Sequence, residues 1–410
     1  MREVVPKGFT LHRGTKKMGE LMQKRAWLGS LFIIMTVFLN SCTVSTSQLP
    51  GGVPGSQAAS TQATSVPANA AATQPSTTPG FPTPYKIPVS WSSLNLSGKL
   101  IFVVNTASTT DTYMDVQELD LHTGGINTLF QSEANGWIDS AVISPDHKQL
   151  IMSYSSPTLQ QGASFTPLAL FSFQVDGSQP PHQLFPLPLK DDQEVEPVWS
   201  PDGKYLYFVL VNNGIPPADP NQHFPIYQIF RMAYPDGQPQ LILDKAYWPR
   251  LSADGSKLIY VSENPDDMTN KLFVANNDGS NPQQIVLSGP TATNIIDAPI
   301  FLPDGKTILF SSPPPVQSRA IPWLDRLFGV IEASAHSIPS EWWSVPVNGG
   351  APTQLTHIQA ASLYAAISPD NWNIASFSGD GVFVMNPDGT NLTMILNNTG
   401  GNAGTVNWIP

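Results

Sequence analysis

The sequence predicts an all-β fold, a six-bladed β-propeller of four-stranded antiparallel blades, and three observations predict it. A Ser-Pro-Asp-Gly turn followed by an alternating apolar strand recurs along the chain. A second hairpin, built round another glycine turn, accompanies it six times. One copy of the first hairpin is split, its two parts standing at opposite ends of the repeat region. Composition agrees: 40 Pro and 30 Gly in 410 residues, with 12% charged, suit turn-rich β structure better than a helical protein.

The clearest first hairpin is "VWSPDGKYLYFVL", Val198–Leu210, with variants whose turns begin at Ser144, Ser252, Leu302 and Ser368. Pro presets φ in such a turn, Asp accepts from nearby backbone N–H groups and Gly takes the left-handed position. The period-two apolar pattern that follows marks a strand buried on at least one face. Second hairpins span Glu118–Phe130, Leu170–Phe185, Ile229–Leu243, Leu272–Leu287, Trp342–Thr356 and Val382–Leu396. "GTVNWIP" (Gly404–Pro410) matches the run into the turn, Trp408 aligning with Trp199. "LSGKLIFVV" (Leu96–Val104) matches the run out of it, Gly98 aligning with Gly203. Sharing one blade between the two ends closes a ring of sheets and hides the inner edges that an open array would expose.

These residues resemble TolB-type, WD-like propeller repeats, in the Ser-Pro-Asp-Gly-Lys-x-Leu/Ile-x-Phe/Tyr text and the downstream Asp-Gly-Ser-x-Pro turn. The resemblance covers about residues 92–410 and implies the propeller; a shared fold does not transfer a function. TolB-type proteins carry a separate α/β domain before the propeller, for which this sequence leaves no room. Their partner-binding role is therefore not carried over residue by residue.

The first 41 residues read differently. Seven basic residues from Arg2 to Arg25 precede the apolar run Ala26–Leu39, and "LNSC" (Leu39–Cys42) follows. This is a secretory signal whose apolar run is too short to span a bilayer comfortably. The end of the signal resembles the bacterial lipobox, with Leu at −3, a small residue at −1 and then the chain's single Cys. The resemblance implies a diacylglyceryl thioether on Cys42, and two or more acyl chains would anchor the protein stably. From Thr43 to about Lys86 the sequence holds no charge before Lys86 and is dominated by Pro, Ser, Thr, Ala, Gly and Gln. Such a segment reads as a disordered tether with an r.m.s. span of ~35–40 Å. The expected organisation is thus signal 1–41, lipidated Cys42 and tether 42–91, and propeller 92–410. Removing the signal takes seven basic and two acidic residues from 20 and 31, leaving 13 and 29 and a net charge of −16. That charge argues against nucleic-acid binding and gives no polybasic support for anionic lipid.

The repeats supply an alignment frame in which candidate functional residues stand out. The repeated aspartates, Asp146, Asp202, Asp254, Asp304 and Asp370, read as turn residues that serve their own hairpins. Aligned on Glu196, just before the innermost strands, stand Ser140, Trp248, Ala298, Tyr364 and Thr405. Aligned on Val195 stand Asp139, Tyr247, Asp297, Leu363 and Gly404. In a propeller these positions are expected to rim one mouth of the central channel. Asp139, Ser140, Glu196, Tyr247, Trp248, Asp297 and Tyr364 are the candidate ligand-binding residues, since aromatic faces with a few polar groups suit a small ligand, sugar or peptide terminus. A solvated rim that varies freely is the other reading.

Long insertions, Ser156–Pro167, Asn212–Pro225 and Pro313–Ser340, fall between second and third strands and open on the same face. Insertions grouped on one face of a repeat array often mark its binding surface. The longest contains "IPWLDRLFGVIEASA", whose Leu324, Leu327, Phe328 and Ile331 fall on one helical face flanked by Trp323 and Val330. It reads either as a short helix packed on the propeller or as a cap or partner-docking helix.

No nucleophile elbow, phosphate loop or His-Glu-x-x-His motif occurs, and no cofactor or metal is expected. Seven His residues are scattered singly. The sequence therefore favours a lipid-anchored extracytoplasmic propeller on a bacterial membrane that binds an envelope protein, peptide or glycan. The alternatives are a propeller enzyme, a carbohydrate lyase or hydrolase at the channel mouth using His223, Glu196, Asp139 and Asp297, and a purely architectural envelope protein.

Overall fold

The Ser-Pro-Asp-Gly copies fold as turns whose side chains serve the turn itself. Ser200 Oγ donates to Asp202 Oδ1 at 2.7 Å, and Asp202 also accepts the Lys204 N–H at 3.1 Å. Ser200 Oγ in turn accepts the Tyr205 N–H at 2.9 Å, while Gly203 sits at φ +70°. The same Ser–Asp bond, at 2.6 Å, recurs at Ser144–Asp146, Ser252–Asp254 and Ser368–Asp370. Where Leu302 replaces Ser, Asp304 accepts the Lys306 and Thr307 N–H groups, each at 2.8 Å. Hydrogen bonds led by the serine hydroxyls hold Asp202 and Asp254 down to about 2. Every repeated aspartate is thus engaged at a hinge.

The computed structural model describes residues 90–107, 111–213, 225–264, 269–289, 291–293, 295–314, 338–397 and 404–410. Cys42, residues 43–89 of the tether and the segment holding Trp323, Leu324, Leu327 and Phe328 lie outside the described residues. Six four-stranded antiparallel sheets form a six-bladed propeller. Blades 2 to 6 begin with inner strands Trp137–Ile143, Gln193–Trp199, Ala246–Leu251, Asp297–Phe301 and Tyr364–Ile367. Blade 1 takes its inner strand, Val406–Ile409, from the other end of the repeat region, paired antiparallel with Lys99–Ala107 so that Trp408 faces Leu100. The six second hairpins fold as the third and outer strands of the blades.

The blades hold together because the second strands are buried on both faces: Leu100–Val104, Leu150–Met152, Leu206–Val211 and Leu258–Val261 are all buried. Aromatic and polar groups tie adjacent blades. Phe102 of blade 1 stacks on Phe377 of blade 6 with centroids 5.4 Å apart. Trp342 of blade 5 donates its indole N–H to Ser376 of blade 6 at 2.8 Å. Tyr207 donates to the Asn277 carbonyl at 2.9 Å, joining blades 3 and 4.

Closure rests on close backbone approach. Gly98 has φ +85°, and a Cβ there would lie 2.2 Å from the Ile409 carbonyl oxygen, on the closing strand itself. Trp408 donates its indole N–H to the Ser97 carbonyl at 3.0 Å beside it. Gly98→Ala is therefore expected to destabilise the protein by about 1–3 kcal/mol, measured by urea unfolding. Gly177→Ala is the control, since Gly177 has φ +67° with nothing within 4 Å. Equal losses in the two variants would show that the closing strand is not held at Gly98.

Candidate functional site

The inner strands are interrupted at equivalent places. In blade 3 Val195 pairs with Val209 but Val198 with Tyr207, so Glu196 and Pro197 together face one residue of the second strand. Trp248–Pro249 and Ala298–Pro299 bulge identically in blades 4 and 5. Glu196, Trp248, Ala298 and, in blade 1, Thr405 adopt left-handed backbone, with φ of 53°, 57°, 44° and 83°. This conformation costs an L-residue about 1–2 kcal/mol. Proline suits the next position because the right-handed helical region is already closed to the preceding residue and the gap in the ladder needs no N–H. Bulges re-aim side chains, and these turn non-repeating residues toward the propeller axis.

The aligned candidates consequently lie deeper than a rim. Ser140 and Glu196 stand mid-strand, and Ser140, Trp248, Asp297 and Tyr364 are buried. Glu196 Oε2 accepts the Trp248 N–H at 2.6 Å, linking blades 3 and 4. The Trp248 ring lies 5.4 Å from that of Tyr364, across from blade 4 to blade 6. Asp139 and Asp297, from blades 2 and 5, act electrostatically on both Glu196 and Tyr364. Blade 1 supplies Gly404, where a Cβ would sit 2.7 Å from the Tyr364 hydroxyl. Residues of all six blades thus form one layer across the channel.

Not every candidate joins it in the same way. Tyr247 packs its ring on Tyr227 of blade 3 at 5.2 Å, between blades. Ser140 forms a backbone bridge to Gly404, and its buried hydroxyl has no hydrogen-bond partner among the described residues. Among the described residues no group of three His, Cys, Asp or Glu gathers at metal-ligating distance, and His223 lies outside them.

Burial dominates the electrostatics of the layer. It pushes Glu196 up to about 8 against the opposing pull of Arg250 and the Trp248 N–H, while Asp139 and Asp297 push the same way as burial. Glu196 keeps partial exposure although protein surrounds it, as a channel wall allows. Burial, reinforced by the three carboxylates, raises the Tyr364 phenol well above its usual range. Glu194, buried at the seam between blades 2 and 3 where it accepts the Leu170 N–H at 2.9 Å, is also pushed up to about 8.

On the turn side of this layer lies a cavity of about 360 Å³, reached from the Ser-Pro-Asp-Gly face, where His147 stands at its outer end. The insertions leave the propeller at the opposite face, since Trp137 at the start of an inner strand pairs with Ser155 just before the first insertion. The cavity is ringed two residues beyond the bulge position by Val142, Val198, Arg250, Ile300, Ala366 and Asn407. Arg250 is the functional candidate that sequence reasoning missed. Its signal was present in the same alignment, as the one charge in a ring otherwise of apolar residues and an Asn. Asn407 serves the ring itself, its side chain accepting the Ile143 N–H at 3.4 Å and donating to the Ala141 carbonyl at 2.8 Å.

No family model and no curated protein matches the chain. Among solved structures, TolB from Acinetobacter baumannii is similar at 16% identity and a TM-score of 0.51, over 76% of this chain and 67% of that one. A putative TolB from Agrobacterium tumefaciens matches at 16% identity and 0.47, over 77% and 100%. An oligogalacturonate lyase in complex with manganese matches at 14% and 0.43, over 73% and 86%. At these identities the likeness to the Acinetobacter protein shows the propeller fold alone.

The raised carboxyls set a pH dependence. A folded state that holds protons at Glu194 and Glu196 which the unfolded chain releases above about 4.5 loses stability as pH rises from there to about 8. Urea unfolding across pH 4.5–8.5 is expected to show this decline. Glu196→Gln, which keeps the acceptor for Trp248, should flatten part of the slope and the double Gln variant most of it. An unchanged slope in the double variant would refute the assignment.

Proposed function

We propose that the chain is a lipid-anchored extracytoplasmic binding module. Cys42 would hold it on a bacterial membrane, the 42–91 tether would lift the propeller clear, and the propeller would bind an envelope protein, peptide or glycan without catalysing a reaction. The observation that carries the binding reading is the channel layer. Six blades built on one repeat place non-repeating Glu196, Trp248, Arg250 and Tyr364 together beside a cavity. Structural demands alone favour repetition at such positions, as the turn aspartates illustrate. The cavity volume falls in the range of small-ligand sites. The insertion face, opposite the cavity, offers a second surface for a macromolecular partner.

The anchor is tested by mass spectrometry of the mature N-terminus, where acyl chains on Cys42 are expected, and by Cys42→Ser, expected to move the protein to the soluble fraction. Unchanged membrane association of that variant would overturn the anchor. In-cell crosslinking tests the insertion face by comparing wild type with a deletion of residues 313–340. Loss of specific crosslinks assigns docking to that segment, and equal capture of every partner removes it.

A further inference from the structure

The cavity has a chemical character unlike the rest of the molecule. The chain is acidic, with 31 Asp and Glu against 20 Lys and Arg. Among the described residues, however, no carboxylate lines the cavity, and Arg250 is its one permanently charged side chain. Of the acids in the layer, Glu196 acts electrostatically on Arg250, whereas Asp139 and Asp297 act on Glu196 and Tyr364; at the entrance Asp146 is engaged by the Ser144 hydroxyl and the Lys148 N–H. Among the described residues Arg250 spends little of its donor capacity. Its Nη1 donates to the Pro249 carbonyl at 2.7 Å, its guanidinium lies 5.6 Å from the Trp248 ring centre, and no carboxylate among the described residues comes within ion-pair distance. A guanidinium has five N–H donors in a planar fork, so most remain for a ligand. Burial lowers its proton affinity, as expected of a cation lacking a close counter-ion.

We propose that this cavity binds a small organic carboxylate with an apolar body. The carboxylate lies on the Arg250 fork, and the body packs against Val142, Val198, Ile300 and Ala366. The class follows from the lining. One cation matches one carboxylate in bidentate geometry. A phosphate dianion would bring a second charge for which the lining holds no second permanent cation. Size follows from volume: a 150 Å³ apolar cavity holds a benzene ring, so this one suits about a dozen non-hydrogen atoms. This inference rests on the reading of the propeller as a binding module and names one ligand class for it.

The test uses the full chain in detergent, with 4-phenylbutyrate as the probe and 4-phenylbutyramide as its uncharged counterpart, titrated by calorimetry. The carboxylate is expected to bind at least tenfold more tightly than the amide. Arg250→Gln should abolish that preference, weakening the carboxylate at least tenfold more than the amide. Arg250→Lys, which keeps the charge and loses the fork, should give an intermediate preference and serves if the Gln variant does not fold. Ala366→Trp, filling the cavity, should weaken both probes with the melting temperature held. Equal affinity for the two probes, a preference that survives Arg250→Gln, or no binding of either at millimolar concentration would overturn the proposal. Equal affinity with sensitivity to Ala366→Trp would leave the binding-module reading standing, which the crosslinking experiment judges separately.

Discussion

Ring closure is the constraint on which the rest of this structure depends. A four-residue strand, Val406–Ile409, completes a sheet whose other strands stand some three hundred positions earlier in the chain. Its pairing with Lys99–Ala107 requires the backbone to pass Gly98 so closely that no side chain fits. It is also tied to blade 2, where the Thr405 hydroxyl accepts the Ala141 N–H at 3.1 Å and donates to the Ala141 carbonyl at 2.7 Å. Together these bonds hold the closing strand in blade 1 and against blade 2. Six inner strands then converge on one axis, and any side chain pointing inward meets partners from other blades. Without closure there is no channel, and the residues that meet in it would be separated by whole blades.

Convergence creates an electrostatic difficulty that the bulges help to meet. Three carboxylates, a phenol and an indole occupy one level of the channel, with an arginine next to them on the turn side. An ionised carboxylate there is costly unless hydrogen-bonded or paired. Glu196 meets the cost in two ways: it accepts the Trp248 N–H exposed by the neighbouring bulge, and burial shifts it toward its neutral form. The left-handed residues at the bulges are strained in isolation and persist because the flanking strands fix them on both sides. Strain and buried polarity thus coincide at one level of the channel, while the turn aspartates on the rim are each engaged within their own hairpins.

The sequence made the blades legible because their signals are local. A turn needs Pro, Asp and Gly within four residues, and a strand needs alternation over six or so. The split blade was also readable, since Trp408 and Gly98 match Trp199 and Gly203 on either side of the missing turn. Depth was not readable. The alternation in "EVEPVW" (Glu194–Trp199) gives no sign that Glu196 begins a bulge, although the Pro after it, repeated as Pro249 and Pro299, marks the same place in the next two blades. Glu196, Trp248 and Tyr364 stand out in the sequence because they break the repeat. Arg250 lies two residues beyond the position expected to form the rim. Its significance comes from its surroundings, a ring of four apolar residues and an Asn contributed by five other blades, and that is a property of closure rather than of any one segment.

The placement of Arg250 also bears on how an acidic protein could select an anion. Long-range repulsion from a net negative surface slows the approach of anions and is screened within about 8 Å at physiological ionic strength. Inside the channel the balance reverses, because a single guanidinium in apolar surroundings acts through a lower effective dielectric than water. The layer of Glu196, Tyr364 and the two aspartates closes the other side. A ligand entering from the turn face passes turn aspartates already engaged by their own hairpins, such as Asp146, and then reaches the ring of apolar residues that holds the guanidinium. Such a lining disfavours small inorganic anions, which gain nothing from apolar walls, and polyanions, which meet repulsion without a second cation. It leaves monoanions whose apolar part can be buried on the way to the charge.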